Sequence, residues 1–150
     1  MTESPDPLPD FDKTRSAGYL ANHMARLFAT ALAEAVRPLG LAPAQFMTLL
    51  ELWREDGLTQ AELVTRLDVE QATMAATLNR MVRDGLIEKV PHPGDRRAHL
   101  IRLTARARAL EAPATSAAAA VNARALAALS PENRGDLLDF MQKVIKSLRK

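Results

Sequence analysis

The stretch PHPGDRRAHLIRLT, residues 91–104, sets an aspartate and two arginines directly after a Pro-Gly pair. A guanidinium held clear of the chain suits the narrow, negatively charged minor groove of a nucleic acid. Asp95 stands two residues before Arg97, within reach to orient its guanidinium by a charge-assisted bond. Upstream, helical spacing from about Glu70 to Asp84 puts Gln71, Ala72, Thr73, Ala76, Asn79, Arg80 and Arg83 opposite an inward stripe of Met74, Leu78, Met81 and Val82. Gln and Asn match adenine edges, and Ala and Thr methyls meet thymine methyls. Arg80 and Arg83, further along, are better placed for phosphates. Bases dominate from residue 80 to 108, where eight arginines and lysines face Asp84, Glu88 and Asp95. Such a patch attracts polyanions, and it would equally serve as a solvated face.

The elements that must hold these groups follow from the pattern. Residues 1–12 carry three prolines and four acids and no base, which predicts a disordered arm. Leu20, Met24, Leu27, Phe28, Ala31 and Ala35 then form one helical stripe from about Lys13, stopped by Pro38 and Gly40. A second helix opens at Pro43, with Phe46, Leu49, Leu50 and Trp53 as its apolar face. Thr59-Gln-Ala-Glu62 is a capping box for a short helix ending near Leu67. The tight link 67–69 leads into the helix at 70–84, which Gly85 stops.

Two β-prone runs, 86–91 and 98–104, flank the Pro-Gly turn as a hairpin. Thr104 is placed to cap an Ala-rich helix over 105–129, in which Pro113 predicts a kink or a split. Ser130-Pro131 opens a last helix with the stripe Leu137, Met141, Val144, Ile145 and Leu148. Helix, helix, short helix, tight turn, helix, hairpin is the order of a winged helix-turn-helix. The predicted fold is mostly α with a small β-hairpin wing. A lobe at 43–104 is flanked by N- and C-terminal dimerisation helices, 13–38 and 105–150, within one domain spanning 13–150.

Composition narrows the alternatives. The chain has 150 residues, 47% of them hydrophobic and 25% charged, as in a soluble single domain. The net charge of +2 hides the acidic start and the basic middle. With no cysteine there is no disulfide, thiolate metal site or thiol switch. His23, His92 and His99 lack helical ligand spacing, so no metal and no cofactor is expected. No window has the length of a membrane span, and no leader pattern opens the chain; a cytoplasmic location is the expectation. A Gly-rich phosphate loop, a nucleophile elbow and a carboxylate–histidine cluster are all absent, which argues against an enzyme.

DRRAHLIRLT (95–104) resembles the D-x-R-x-x-x-x-x-L-T wing pattern of the MarR family of bacterial transcriptional regulators. GLTQAELVTRLDVEQATMAATLNRMVRDGLIEKV (57–90) is similar to that family's helix-turn-helix, and LGLAPAQFMTLLEL (39–52) to its second helix. In order of elements the resemblance covers about residues 13–149. It implies an obligate homodimer with interleaved first and last helices, and two winged lobes facing one side of double-stranded DNA. It also implies Asp95 and Arg97 as the wing-tip pair, with Arg97 in the minor groove. Glu70 stands where the family often has a Ser or Thr cap, and Ala76 where a basic residue is common. Ala107 replaces a frequent Gly, and Pro113 is unusual.

The resemblance further implies a ligand-responsive repressor on a pseudo-palindromic operator, with an anionic or phenolic effector between the dimer helices and the lobe. Tyr19, His23, Arg26, Phe46 and Trp53 are the candidates. The first three share a helix face and would hold an aromatic carboxylate. Phe46 and Trp53 equally read as core. Leu20, Leu137, Met141, Ile145 and Leu148 are the candidate dimer contacts. The rival reading is a dimeric winged-helix protein-interaction module without specific DNA binding. Phosphate binding falls steeply with salt, and protein contact mostly does not.

Overall fold

The computed structural model describes residues 10–150, so residues 1–9 of the expected arm lie outside the described residues. Asp12 caps a single 3-10 turn, Lys13–Arg15, through a bond from the Thr14 N–H. Ser16 then caps α1, Ala17–Val36, so the first α-helix begins four residues later than its stripe suggests. Gly40, with φ 76°, takes the left-handed turn that ends the following 3-10 segment, Arg37–Leu39.

Helix α2 spans Pro43–Arg54 and α3 Gln60–Leu67. The Thr59 hydroxyl accepts from the Glu62 N–H and bonds the Glu62 carboxylate, where the sequence suggested that Glu62 reaches back to the backbone. Asp68, at φ 52°, is the left-handed residue that closes α3, a role that Asp tolerates better than most residues. Helix α4 spans Gln71–Arg83, and Gly85, at φ 72°, reverses the chain after it.

Strands β1, Ile87–His92, and β2, Asp95–Leu103, form the antiparallel wing, and β2 starts three residues before the expected run. Leu58 makes a one-residue bridge to Ile101, so the loop before α3 joins the hairpin. Helix α5, Ala105–Ala125, runs through Pro113 without splitting. Pro113 and Ala109, whose carbonyl loses its partner there, are both exposed, so solvent can satisfy that carbonyl. Helix α6 spans Pro131–Leu148.

One core joins the lobe. Leu49, Leu52, Leu63, Leu78, Met81, Leu86, Ile87 and Ile101 are fully buried where α2, α3, α4 and the wing meet. Val36 and Ala114 carry that core onto α1 and α5. Two expected core positions are corrected. Val82 is exposed and Thr77 takes its place, its hydroxyl satisfied by the Thr73 carbonyl at 3.0 Å. Leu50 also faces outward, and Leu52 fills the interior.

Helix α6 buries none of its 18 residues in the single chain. Leu138, Phe140, Met141, Val144, Ile145 and Leu148 are exposed on it, as are Tyr19, Leu20, Met24 and Leu27 on α1. No helix among the described residues is long and apolar enough to cross a membrane.

Candidate nucleic-acid interface

Helix α4 is held by its inward side. Met74, Thr77, Leu78 and Met81 pack into the lobe, which turns Gln71, Ala72, Thr73, Ala76, Asn79, Arg80 and Arg83 outward, all exposed. Glu70 occupies the N-cap position without a side-chain capping bond. The first-turn N–H groups therefore remain available beside Gln71.

The far end of α4 is fixed three ways. The buried Gln45 side chain accepts from the Ala42 N–H at 3.0 Å and donates to the Asp84 carboxylate at 2.8 Å. Arg106, from α5, donates to the Asp84 carbonyl. The Thr104 hydroxyl donates to the Gly85 carbonyl at 2.7 Å and accepts from the Ala107 N–H at 3.2 Å. Thr104 thus caps α5, as its sequence position predicts, and also ties the wing's end to the end of α4.

The wing tip has an irregular register. His92 pairs with Asp95 across Pro93-Gly94, but Pro91 pairs with His99. Arg96, Arg97 and Ala98 consequently have no partner on β1 and bulge from the ladder. The bulge is stabilised locally: the Asp95 carboxylate accepts from the Arg97 backbone N–H at 2.9 Å. Asp95 therefore shapes the backbone that carries Arg97, and the expected carboxylate–guanidinium bond is not the one formed. Both guanidinium-bearing residues project into solvent.

Between the wing and the starts of α3 and α4 lies a groove of about 520 Å³. Gln60, Gln71, Lys89, His92, Arg97 and His99 face it. Sequence reasoning did not single out Lys89 or His99 as functional. Alternation along two short strands was the available signal, since Lys89 and Ile101 are paired neighbours. The Lys89 ammonium also donates to the Asn79 side-chain Oδ1 at 3.2 Å. Asn79 is thereby drawn toward the wing with one of its two reading groups engaged.

A clamp seats α3 against α2. Arg66 pairs with Glu55 and, at 3.8 Å, with Glu51. Its hydrogen bond to Glu55 raises the Arg66 pKa above its ordinary value, and the charges of Glu55, Glu51 and Glu62 add to this. At the C-terminus of α6, Arg149 donates to the Asp68 carboxylate at 2.7 Å and to the Arg66 carbonyl at 3.1 Å. The last helix thus touches the turn between α3 and α4.

The predicted effector residues divide. Tyr19 and His23 meet edge-on at 6.1 Å on the exposed side of α1, and Arg26 is exposed as well. Phe46 and Trp53 meet edge-on at 6.1 Å, and the Trp53 indole donates to the Ala107 carbonyl at 3.0 Å. Of the five, Phe46 alone lines the cavity of about 610 Å³ between α1, α2 and α5.

A family model described as the MarR family matches residues 39–98, the span from α2 to the wing bulge. The HTH-type transcriptional repressor NicR of Pseudomonas putida is 28% identical over 148 residues, covering 97% of this chain and 94% of NicR. Over residues 39–98 the chain carries the helix-turn-helix and wing of the MarR family. Among solved structures, the transcriptional repressor CouR bound to a 23-mer DNA duplex is 29% identical, with a TM-score of 0.81. That match covers 88% of this chain and 94% of CouR. A MarR regulator from Methanosarcina mazei superposes with a TM-score of 0.82 at 22% identity over 87% of this chain and 94% of its own. That likeness is one of fold: the winged helix-turn-helix between terminal helices is the MarR architecture.

Proposed function

We propose that this MarR-family protein is a homodimeric, DNA-binding repressor whose α4 reads the major groove while the wing bulge puts Arg97 into the adjacent minor groove. The observation that carries the reading is the pairing of an outward polar face, Gln71 to Arg83, with two arginines freed from the strand ladder beside it. The groove between them holds Lys89 and Arg97 where a phosphate backbone would pass. The DNA-bound state of CouR supports the same use of this fold.

The homodimer rests on α1 and α6. An 18-residue helix with no buried side chain and an apolar stripe has little to stabilise it alone. A second copy, covering Leu20, Leu137, Met141, Ile145 and Leu148 with their neighbours, supplies that packing. Two-fold symmetry then places the two α4 helices about 34 Å apart, on half-sites of a pseudo-palindrome. The cavity between α1, α2 and α5 is the seat of a small effector that shifts the spacing of the lobes.

The test is fluorescence anisotropy with a duplex from the protein's own upstream region, across a salt series. Tight binding whose affinity drops steeply between 50 and 200 mM salt supports the reading. Equal affinity for scrambled duplex would remove sequence-specific DNA recognition from it.

A further inference from the structure

The effector cavity has a chemical character of its own. Alanines on two helices create it: Ala25 and Ala29 on α1 face Ala118 and Ala119 on α5, and no long side chain fills the space between them. Phe28, Leu32, Phe46 and Leu50 supply the apolar walls. Two polar side chains, Thr115 and Asn122, reach its wall. The Thr115 hydroxyl already donates to the Glu111 carbonyl at 2.7 Å, leaving only acceptor capacity. The Asn122 carboxamide makes no hydrogen bond among the described residues and retains both a donor and an acceptor.

No lysine, arginine or histidine lines this space. His23 and Arg26 are exposed on α1 and do not reach it. Arg124 belongs to the neighbouring depressions on the other side of Val121. A carboxylate moved from water into an apolar cavity without a counter-charge is strongly disfavoured, whereas a neutral ring gains by leaving water.

We infer that the ligand of this cavity is an uncharged molecule of one or two rings, with a single carbonyl, amide or hydroxyl group that meets Asn122. A volume of about 610 Å³ suits that size. The inference rests on the reading of the cavity as an effector site, and it replaces the aromatic carboxylate that Tyr19, His23 and Arg26 suggest.

The test uses the full-length protein and ligand pairs matched in shape: benzoate with methyl benzoate and benzamide, and 1-naphthoate with 1-naphthamide, at pH 8. Binding is followed by calorimetry. It is also followed by the fluorescence of Trp53, the sole tryptophan, whose ring meets that of the cavity-lining Phe46. The neutral member of a pair is expected to bind at least tenfold more tightly than the acid. Ala118→Phe should abolish that binding; Ala29→Leu serves if the larger change prevents folding. Tighter binding of the acids overturns the neutral class, and silence of every neutral compound overturns the inference altogether. Neutral binding that leaves affinity for DNA unchanged keeps the ligand class and instead defeats the effector reading.

Discussion

Asp56 sits in the loop between α2 and α3, outside α4 and the wing, yet its removal should loosen the wing. One carboxylate oxygen accepts from the Leu103 N–H and the Gly57 N–H, both at 2.9 Å. The other accepts from the Arg108 guanidinium at 3.2 Å. In Asp56→Ala, Gly57 keeps a partner, because its N–H also points to the Ile101 carbonyl at 3.0 Å. Leu103 is buried and its N–H is left without an acceptor, a cost of about 1–3 kcal/mol. The partly exposed ion pair with Arg108 adds about 0–1 kcal/mol. The expected destabilisation is therefore about 1–4 kcal/mol. Asp56→Asn keeps the acceptor and should cost about 1 kcal/mol.

Urea unfolding followed by Trp53 fluorescence, at one fixed protein concentration, measures both variants. Asp56→Ala should also weaken binding to DNA under conditions where the fold is intact, since β2 carries Arg96 and Arg97. A wild-type midpoint for Asp56→Ala would refute the account. Equal losses for the two variants would show that the charge matters and the backbone acceptor does not.

Arg97→Ala should lower affinity for DNA by about 1–3 kcal/mol and reduce the salt slope by about one, read by anisotropy, with the melting curve unchanged. Ile145→Asp puts a charge into the stripe that a second copy would cover in the proposed dimer. Sedimentation should show monomer or unstable protein, and a well-folded dimer would contradict the assigned seam. Arg149→Ala frees α6 from the Asp68 turn. Affinity for DNA should fall while the sedimenting mass stays that of the dimer, and unchanged affinity would make the contact incidental.

Much of this architecture is legible because the sequence repeats its message locally. Gly85, Thr104 and Ser130-Pro131 mark element ends by mechanisms that need no tertiary partner, and each stands where it predicts. What escaped depends on distance along the chain. Gln45 looks like any polar residue of an amphipathic helix, and its bond to Asp84 spans 39 positions. Asp56 reaches Leu103 across 47. The bulge at Arg96–Ala98 leaves no trace in alternation, because bulging is the interruption of alternation. Tyr19, His23, Arg26 and Trp53 pointed elsewhere than the cavity for a related reason. The empty space is defined by alanines on two separate helices, and alanines carry no spacing signal that distinguishes a cavity from a close-packed face.

The junction around Thr104 is where these parts become one mechanism. The carbonyls of Asp84, Gly85 and Leu86, just past α4, bond to Arg106 and Thr104 at the root of α5. Asp84 is in turn bonded through Gln45 to the start of α2. The lobe is therefore joined to α5 by short polar bonds, with no flexible linker between them. The cavity borders α5 at Thr115 to Asn122, beginning eleven residues from Thr104, about 16 Å along a helix of 1.5 Å rise. At that lever length a tilt of about 10° at α5 moves the root by about 3 Å, roughly the rise of one base pair. On the proposed reading, a ligand that wedged α1 and α5 slightly apart would put the two lobes of a dimer out of step with the turn of DNA.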